Sequence, residues 1–372
     1  MSTVGPVISA WSAASAFGVG RETFSAGVRS KRQAVTTLDP ERWAAPTDRA
    51  CLVPGGEPRE LLGRKGTRSM DRVTALAVAA VGRLLDDGHG ARIPGLDEDT
   101  GLVLGTSNGS VGSIMSFTRD SLTQDRPYLV DPARFPNTVM NCAAGQSAIR
   151  HGLRGPNVTI AGGRASALLA LNHARRLQRC GHARTVVCGA AEEFSAERAW
   201  LDWHAHAHAD RALAEPDQAP LTGEGCAVLL LEAGGDAGTG SGRTPLAEVA
   251  AVEIALPADE KDAVPVLADC VRRALRRTGL TAADLWAIAP ADTPGPYADR
   301  ERTALAEVLG DHDPLRLSCT DLLGDTGAAS AAFQIAALLA SAEGDPTASG
   351  RPALVTTADP DGVVGCAVLC LA

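Results

Sequence analysis

Asn157-Val158-Thr159-Ile160-Ala161-Gly162-Gly163-Arg164-Ala165-Ser166 reads as a buried strand, a tight glycine turn and the start of a helix. A side chain at such a turn is pushed into a site with helix amides behind it, an arrangement that lowers a thiol pKa and stabilises an oxyanion. This is the place for a nucleophile, and it holds Arg164. A guanidinium cannot fill that role.

Working outward, the chain repeats this unit. Val158–Ala161, a helix over Ala165–Leu177 and a strand at Thr185–Cys188 correspond to Leu315–Cys319, a helix over Ala328–Leu339 and a strand at Ala353–Thr356. A second pair precedes each copy. The helix Val73–Leu85, the strand Gly101–Leu104 and the turn Gly105-Thr106-Ser107-Asn108-Gly109 match the helix Val264–Thr278, the strand Leu285–Ala289 and the turn Asp292-Thr293-Pro294-Gly295. Two strand–helix–strand copies predict parallel pairing with helices covering the sheets. The expected fold is α/β, with two stacked sheets sandwiched by helices.

With 372 residues and 45% hydrophobic content, the chain can bury one large core or two fused similar ones. A net charge of -9 argues against a nucleic-acid surface. Short basic clusters, Arg175-Arg176 and Arg272-Arg273 with Arg276-Arg277, sit on predicted helices; a solvated face and a patch for an acidic partner protein both fit them, the solvated face better. Nine cysteines without a CxxC pair give neither a disulfide framework nor a zinc site. A reducing compartment is expected. There is no basic start followed by an apolar run and no segment near the ~18 apolar residues that span a bilayer, so the expected location is cytoplasmic, without membrane contact.

Three further groups carry less. His204, His206 and His208 would share a face on a strand, but Ala196–Ala214 reads as helical, where only His204 and His208 are neighbours; surface histidines and no metal are expected. Glu192-Glu193 are adjacent and diverge, which favours structural contacts over an acid–base pair. Gly223-Glu224-Gly225 lacks the lysine of a phosphate loop and reads as a turn entering a strand. No cofactor is expected.

Beyond this outline the chain resembles a known family over nearly its whole length. Phe135-Pro136-Asn137-Thr138-Val139-Met140-Asn141-Cys142-Ala143-Ala144-Gly145-Gln146 and His151-Gly152-Leu153-Arg154-Gly155-Pro156-Asn157 look like the approach to the active-site turn of β-ketoacyl-carrier-protein synthases. Gly189-Ala190-Ala191-Glu192-Glu193, Gly223–Glu232 and Asp321–Phe333 extend the likeness to the thiolase-type condensing enzymes. The resemblance implies a duplicated thiolase-like α/β fold, five-layered α-β-α-β-α with two stacked mixed sheets, its N-terminal half over 1–240 and its C-terminal half over 241–372. It also implies a cysteine nucleophile, two histidines and an ordering lysine, which decarboxylate a malonyl thioester and join it to an acyl chain. Those positions fall here on Arg164, on Ala291 or Asp292, on Thr320 for the lysine, and on Asp325 for the second histidine. None of the four groups is present. The family's C-terminal phenylalanine-glycine loop reads Ala358-Asp359-Pro360-Asp361-Gly362.

A scaffold with these packing blocks and no catalytic group resembles the chain-length factor of type II polyketide synthases. That resemblance implies a heterodimer with an active ketosynthase, and an acyl carrier protein bearing a phosphopantetheine-linked chain as second partner. The usual replacement for the nucleophile there is glutamine, and Arg164 departs from it. Arg164 is expected to pair with Asp325 or Asp292 and fill the old pocket. Ser110–Leu122 would be the tunnel helix, with Val111, Ile114, Met115 and Thr118 on one face; by spacing alone the stripe reads as core, and its position ahead of Phe135-Pro136-Asn137 brings in the tunnel. Phe135, Pro136, Thr138 and Met140 are the candidate interface residues. The aliphatic wording of this helix suggests a linear, reduced polyene. Two other readings stay open: a homodimeric acyl-transfer or condensing variant with Arg164 as an anchor, and a structural or carrier-docking protein.

Overall fold

The computed structural model describes residues 5–86, 91–96, 98–209, 219–234, 243–360 and 362–372. The expected boundary at 240/241, residues 210–214 of the predicted helix and Asp361 lie outside the described residues. The N-terminal elements are β1 (Val7–Ser15), β2 (Gly18–Val19), α1 (Arg21–Ser30), β3 (Thr36–Thr37), β4 (Arg49–Ala50), α2 (Pro58–Leu62), α3 (Arg72–Leu85), β5 (Gly101–Thr106) and α4 (Val111–Thr123). Then come α5 (Cys142–His151), β6 (Asn157–Ala161), α6 (Ser166–Arg179), β7 (Thr185–Glu192), α7 (Ala196–Ala209) and β8 (Gly225–Glu232). The rest comprises β9 (Ala247–Ala255), α8 (Ala263–Thr278), β10 (Ala287–Ala289), α9 (Pro296–Leu309), β11 (Leu315–Arg316), α10 (Thr320–Leu323), α11 (Ser330–Ala342), β12 (Pro352–Ala358) and β13 (Val364–Leu371).

The duplication read from the sequence is explicit in the strand order. One half runs β6-β5-β7-β8-β1 and the other β11-β10-β12-β13-β9. In each, the first three strands are parallel and the last two join antiparallel. Each crossover helix, α6 or α11, therefore links strands that flank a third, as parallel pairing requires. The halves meet along β1 and β9, where Val7 and Ile8 pair with Glu248 and Ala247. Hydrogen bonding is thus continuous through what the sequence suggests are two separate sheets.

Five layers follow from which faces are apolar. Helices α3 and α5 cover the outer face of the first half, and α8 and α9 that of the second. Between them lie α6 and α11, with α11 touching β8 and β1 on one side and β12 and β10 on the other. A helix covered on both sides must be apolar all round. Every residue from Ser330 to Ala340 is buried. Phe333 stacks on Phe24 at 5.7 Å, and Trp11 meets Phe24 edge-on at 5.6 Å.

Two strand readings are corrected. β6 is an edge strand with exposed ends, not a buried one, because only β5 pairs with it. β11 spans two residues rather than five, for the same reason on the opposite edge. No helix among the described residues is long and apolar enough to cross a membrane.

Candidate functional site

The turn after β6 is built by glycine and serine. Gly163 has φ +54°, and a Cβ there would run into the Asp359 carboxylate. Ser166 Oγ accepts from the Gly162 N–H at 3.0 Å and lies 2.7 Å from Gly163 O and 2.9 Å from Thr106 O, which ties the turn to the end of β5. A 3-10 turn over Gly163–Ala165 precedes α6 and sets Arg164 at the head of the middle-layer helix.

The Arg164 side chain is largely buried. Its guanidinium grips Asp325 with both terminal nitrogens, Nη1 donating to Oδ1 at 2.5 Å and Nη2 to Oδ2, with side-chain exposures of 12% and 3%. This settles the expected pairing in favour of Asp325. Asp292 instead takes Arg316. Burial opposes ionisation of Asp325, but the charge and hydrogen bonds of Arg164, aided by Arg198, hold its carboxyl far below the usual carboxylate range. Burial likewise disfavours the Arg164 cation, and Asp325 outweighs it. The Gly327 N–H completes the Asp325 acceptor set at 2.9 Å.

The backbone N–H of Arg164, the donor that could steady an oxyanion at this turn, donates to the buried Asp359 carboxylate. A cation therefore stands at the head of α6, with an anion beside the amide behind it.

The other positions carried over from the family close in the same way. Ala291 is buried, and Thr320 Oγ1 donates to its carbonyl at 2.8 Å. Glu301 accepts from the N–H groups of Ala291 and Asp292 at 3.0 and 2.9 Å and from Thr356 at 2.6 Å, fixing a turn in which Asp292 adopts φ +46°.

A half-open cavity of about 730 Å³ remains in front of Arg164, lined among others by Val111, Asn108, His206 and Arg300. Helix α7 supplies one wall with Arg198, Asp202 and His206. Arg198 Nη1 donates to Glu193 O at 2.6 Å and to Gly223 O at 3.0 Å, and its Nε sits 3.2 Å from Asp202 Oδ2. Sequence reading missed this wall. Its signal was the four-residue spacing of 198, 202 and 206 on one helix face. His206 is thus a cavity residue, not a surface one, and burial pushes its pKa down. His204 stacks on Trp200 at 5.8 Å. No cluster fit for a metal occurs among the described residues.

Glu192 and Glu193 point apart, as their adjacency requires. Glu192 accepts from Ser107 Oγ at 2.5 Å and the Ala328 N–H at 3.3 Å. Glu193 accepts from Ser110 Oγ (3.0 Å), the Gly112 N–H (3.3 Å) and the Val73 N–H (3.2 Å), joining the N-termini of α3 and α4. Burial, with Asp71 nearby, pushes Glu193 up to about 8. Glu224, in the turn entering β8, is buried and takes Arg72 at 2.5 and 2.6 Å.

Among the residues singled out on α4, Val111 is buried and lines the cavity, Ile114 is half-buried, and Met115 and Thr118 are exposed. The stripe is therefore not core, and its outer part faces away from this chain. Phe135, Pro136 and Met140 are exposed on the same side, with Phe135 6.1 Å from Phe117 of α4 and Thr138 half-buried beside them. Val139, between Thr138 and Met140 in the chain, is exposed as well.

The family model of the beta-ketoacyl synthase N-terminal domain matches residues 6–237. The 3-oxoacyl-(acyl-carrier-protein) synthase 2 of Rhizobium meliloti (strain 1021) is 28% identical over 327 residues, 79% of this chain and 76% of that protein. Its namesake from Vibrio harveyi is 28% identical over 200 residues, 49% of this chain and 46% of that protein. Among solved structures, the ishigamide ketosynthase/chain length factor superposes with a TM-score of 0.91 at 46% identity, covering 99% of both chains. The fold is thiolase-like, and the chain belongs to the β-ketoacyl synthase family.

Proposed function

We propose that this chain is the chain-length factor of a type II polyketide synthase. It does not condense; it pairs with an active ketosynthase, completes the acyl tunnel and sets chain length while the partner joins malonyl units. The carrying observation is the buried Arg164–Asp325 pair; in this reading its cation and anion take the positions of the family's nucleophile and second histidine. Neither can cycle a proton near neutral pH: the guanidinium stays charged and the carboxyl stays ionised. The likeness to the ishigamide ketosynthase/chain length factor supports the same reading.

In this reading Val111, Ile114, Met115 and Thr118 line the tunnel, and Phe135, Pro136, Thr138 and Met140 sit on the partner. The exposed apolar surface around α4 supports that placement, since such a surface on a family member calls for a cover. The acyl carrier protein delivers a phosphopantetheine-linked chain, and the product is a linear, reduced polyene. The halves 1–240 and 241–372 act as one scaffold, the first carrying the former nucleophile turn and the second the former histidine sites.

The test is malonyl-carrier decarboxylation by the isolated chain and by Arg164→Cys. Neither should turn over, because the histidine positions are also lost. Decarboxylation by the wild-type chain that disappears in Asp325→Ala would overturn the non-condensing reading.

A further inference from the structure

A second groove opens between the end of α1, the edge strand β11 and the helices α10 and α11. It encloses about 510 Å³ and shares no lining residue with the cavity before Arg164. That size is typical of small-molecule sites. Its floor is apolar: Val28, Cys319 and Ala337 are buried, and Leu317 and Leu322 are half-buried. Its rim carries Arg29, Lys31 and Arg316, against the carboxylate of Asp321.

These cations are not equivalent. Arg316 is held by Asp292. Arg29 and Lys31 are exposed and have no ion-pair partner among the described residues. Arg29 stands in the last turn of α1, where a cation also suits the helix dipole. The dipole, however, does not account for an apolar hollow beneath it. Because β11 pairs only with β10, its outer edge borders the groove unpaired.

We propose that this groove binds a medium-chain acyl carboxylate, the chain lying on the apolar floor and the carboxylate meeting Arg29 and Lys31. A carboxylate gains charge-assisted hydrogen bonds from both cations, and a neutral head gains neither. An acidic amphipathic helix fits less well. The large exposed apolar residue here is Leu315, itself part of the groove lining, too little for a helix stripe.

Isothermal titration of the full-length chain with decanoate, decanol and inorganic phosphate tests this. Decanoate should bind saturably, with decanol and phosphate each weaker by about tenfold or more. Arg29→Glu with Lys31→Glu should weaken decanoate by about tenfold or more, and Ser341→Trp, which fills the groove, should remove the binding. Thermal melts check that both variants fold, their substituted residues being exposed or half-buried. No saturable binding would overturn the assignment, and an affinity unchanged in either variant would place decanoate elsewhere and overturn it too. Tight binding of an acidic amphipathic peptide with none of decanoate would also overturn it.

Discussion

A buried guanidinium and carboxylate are stable only together. Each loses its water, and the bidentate contact returns enough to keep both charged. Removing one strands the other, so Arg164→Met should cost about 3 kcal/mol or more of unfolding free energy, and Arg164→Met with Asp325→Leu should recover most of it. Chemical denaturation of these two variants and of Asp325→Leu alone decides the matter; a double-variant loss equal to the sum of the two single losses would show that the two are not coupled. The pH dependence carries opposite signs at two carboxylates. The Asp325 pKa is lower in the fold than its unfolded ~3.9, so its contribution is complete a unit or so above that value and is lost as pH falls through the folded pKa. Glu193, at about 8 in the fold against ~4.3 unfolded, costs stability increasingly as pH rises between those values. Glu193→Gln should therefore gain on the wild type in Tm between pH 5 and pH 8.5, and a constant difference would contradict the buried-acid assignment. Arg164 was legible because a turn position announces itself locally. Asp359 and Arg198 were not, since they reach the site from 195 residues away in one case and from an unremarked helix face in the other.

At the scale of elements, the turn between β6 and α6 depends on a backbone only glycine adopts comfortably. Gly163→Ala combines a positive φ with a collision against Asp359, and should destabilise by about 1–3 kcal/mol, read as a fall in denaturation midpoint. Helix α4 carries the functional prediction. Thr118 is exposed in the isolated chain, so a tryptophan there is tolerated by the fold, and with the partner ketosynthase Thr118→Trp should shorten the product seen by mass spectrometry. Unchanged product length would remove α4 from the tunnel. Helices with a strong stripe were placed well by spacing: Val73–Leu85 is observed as Arg72–Leu85 and Val264–Thr278 as Ala263–Thr278. Edge strands were not, because an apolar run does not say how many neighbours it has; β6 and β11 each have one.

At the scale of the whole molecule, duplication was readable because both copies keep the same order of strand, helix and turn, and the two five-strand halves reproduce it. The β1–β9 seam was not readable, since a two-pair contact leaves no pattern in composition. Long-range polar contacts were also hidden: Glu224 and Arg72 lie 152 residues apart and meet only once α3 and β8 have packed. The same packing leaves the apolar surface of α4, Phe135 and Met140 uncovered, and the proposed function supplies its cover. Native mass spectrometry of the protein purified from its own host tests this most directly. The account predicts a one-to-one complex with a ketosynthase whose corresponding turn carries a cysteine. A homodimer of this chain, with no ketosynthase bound, would contradict it.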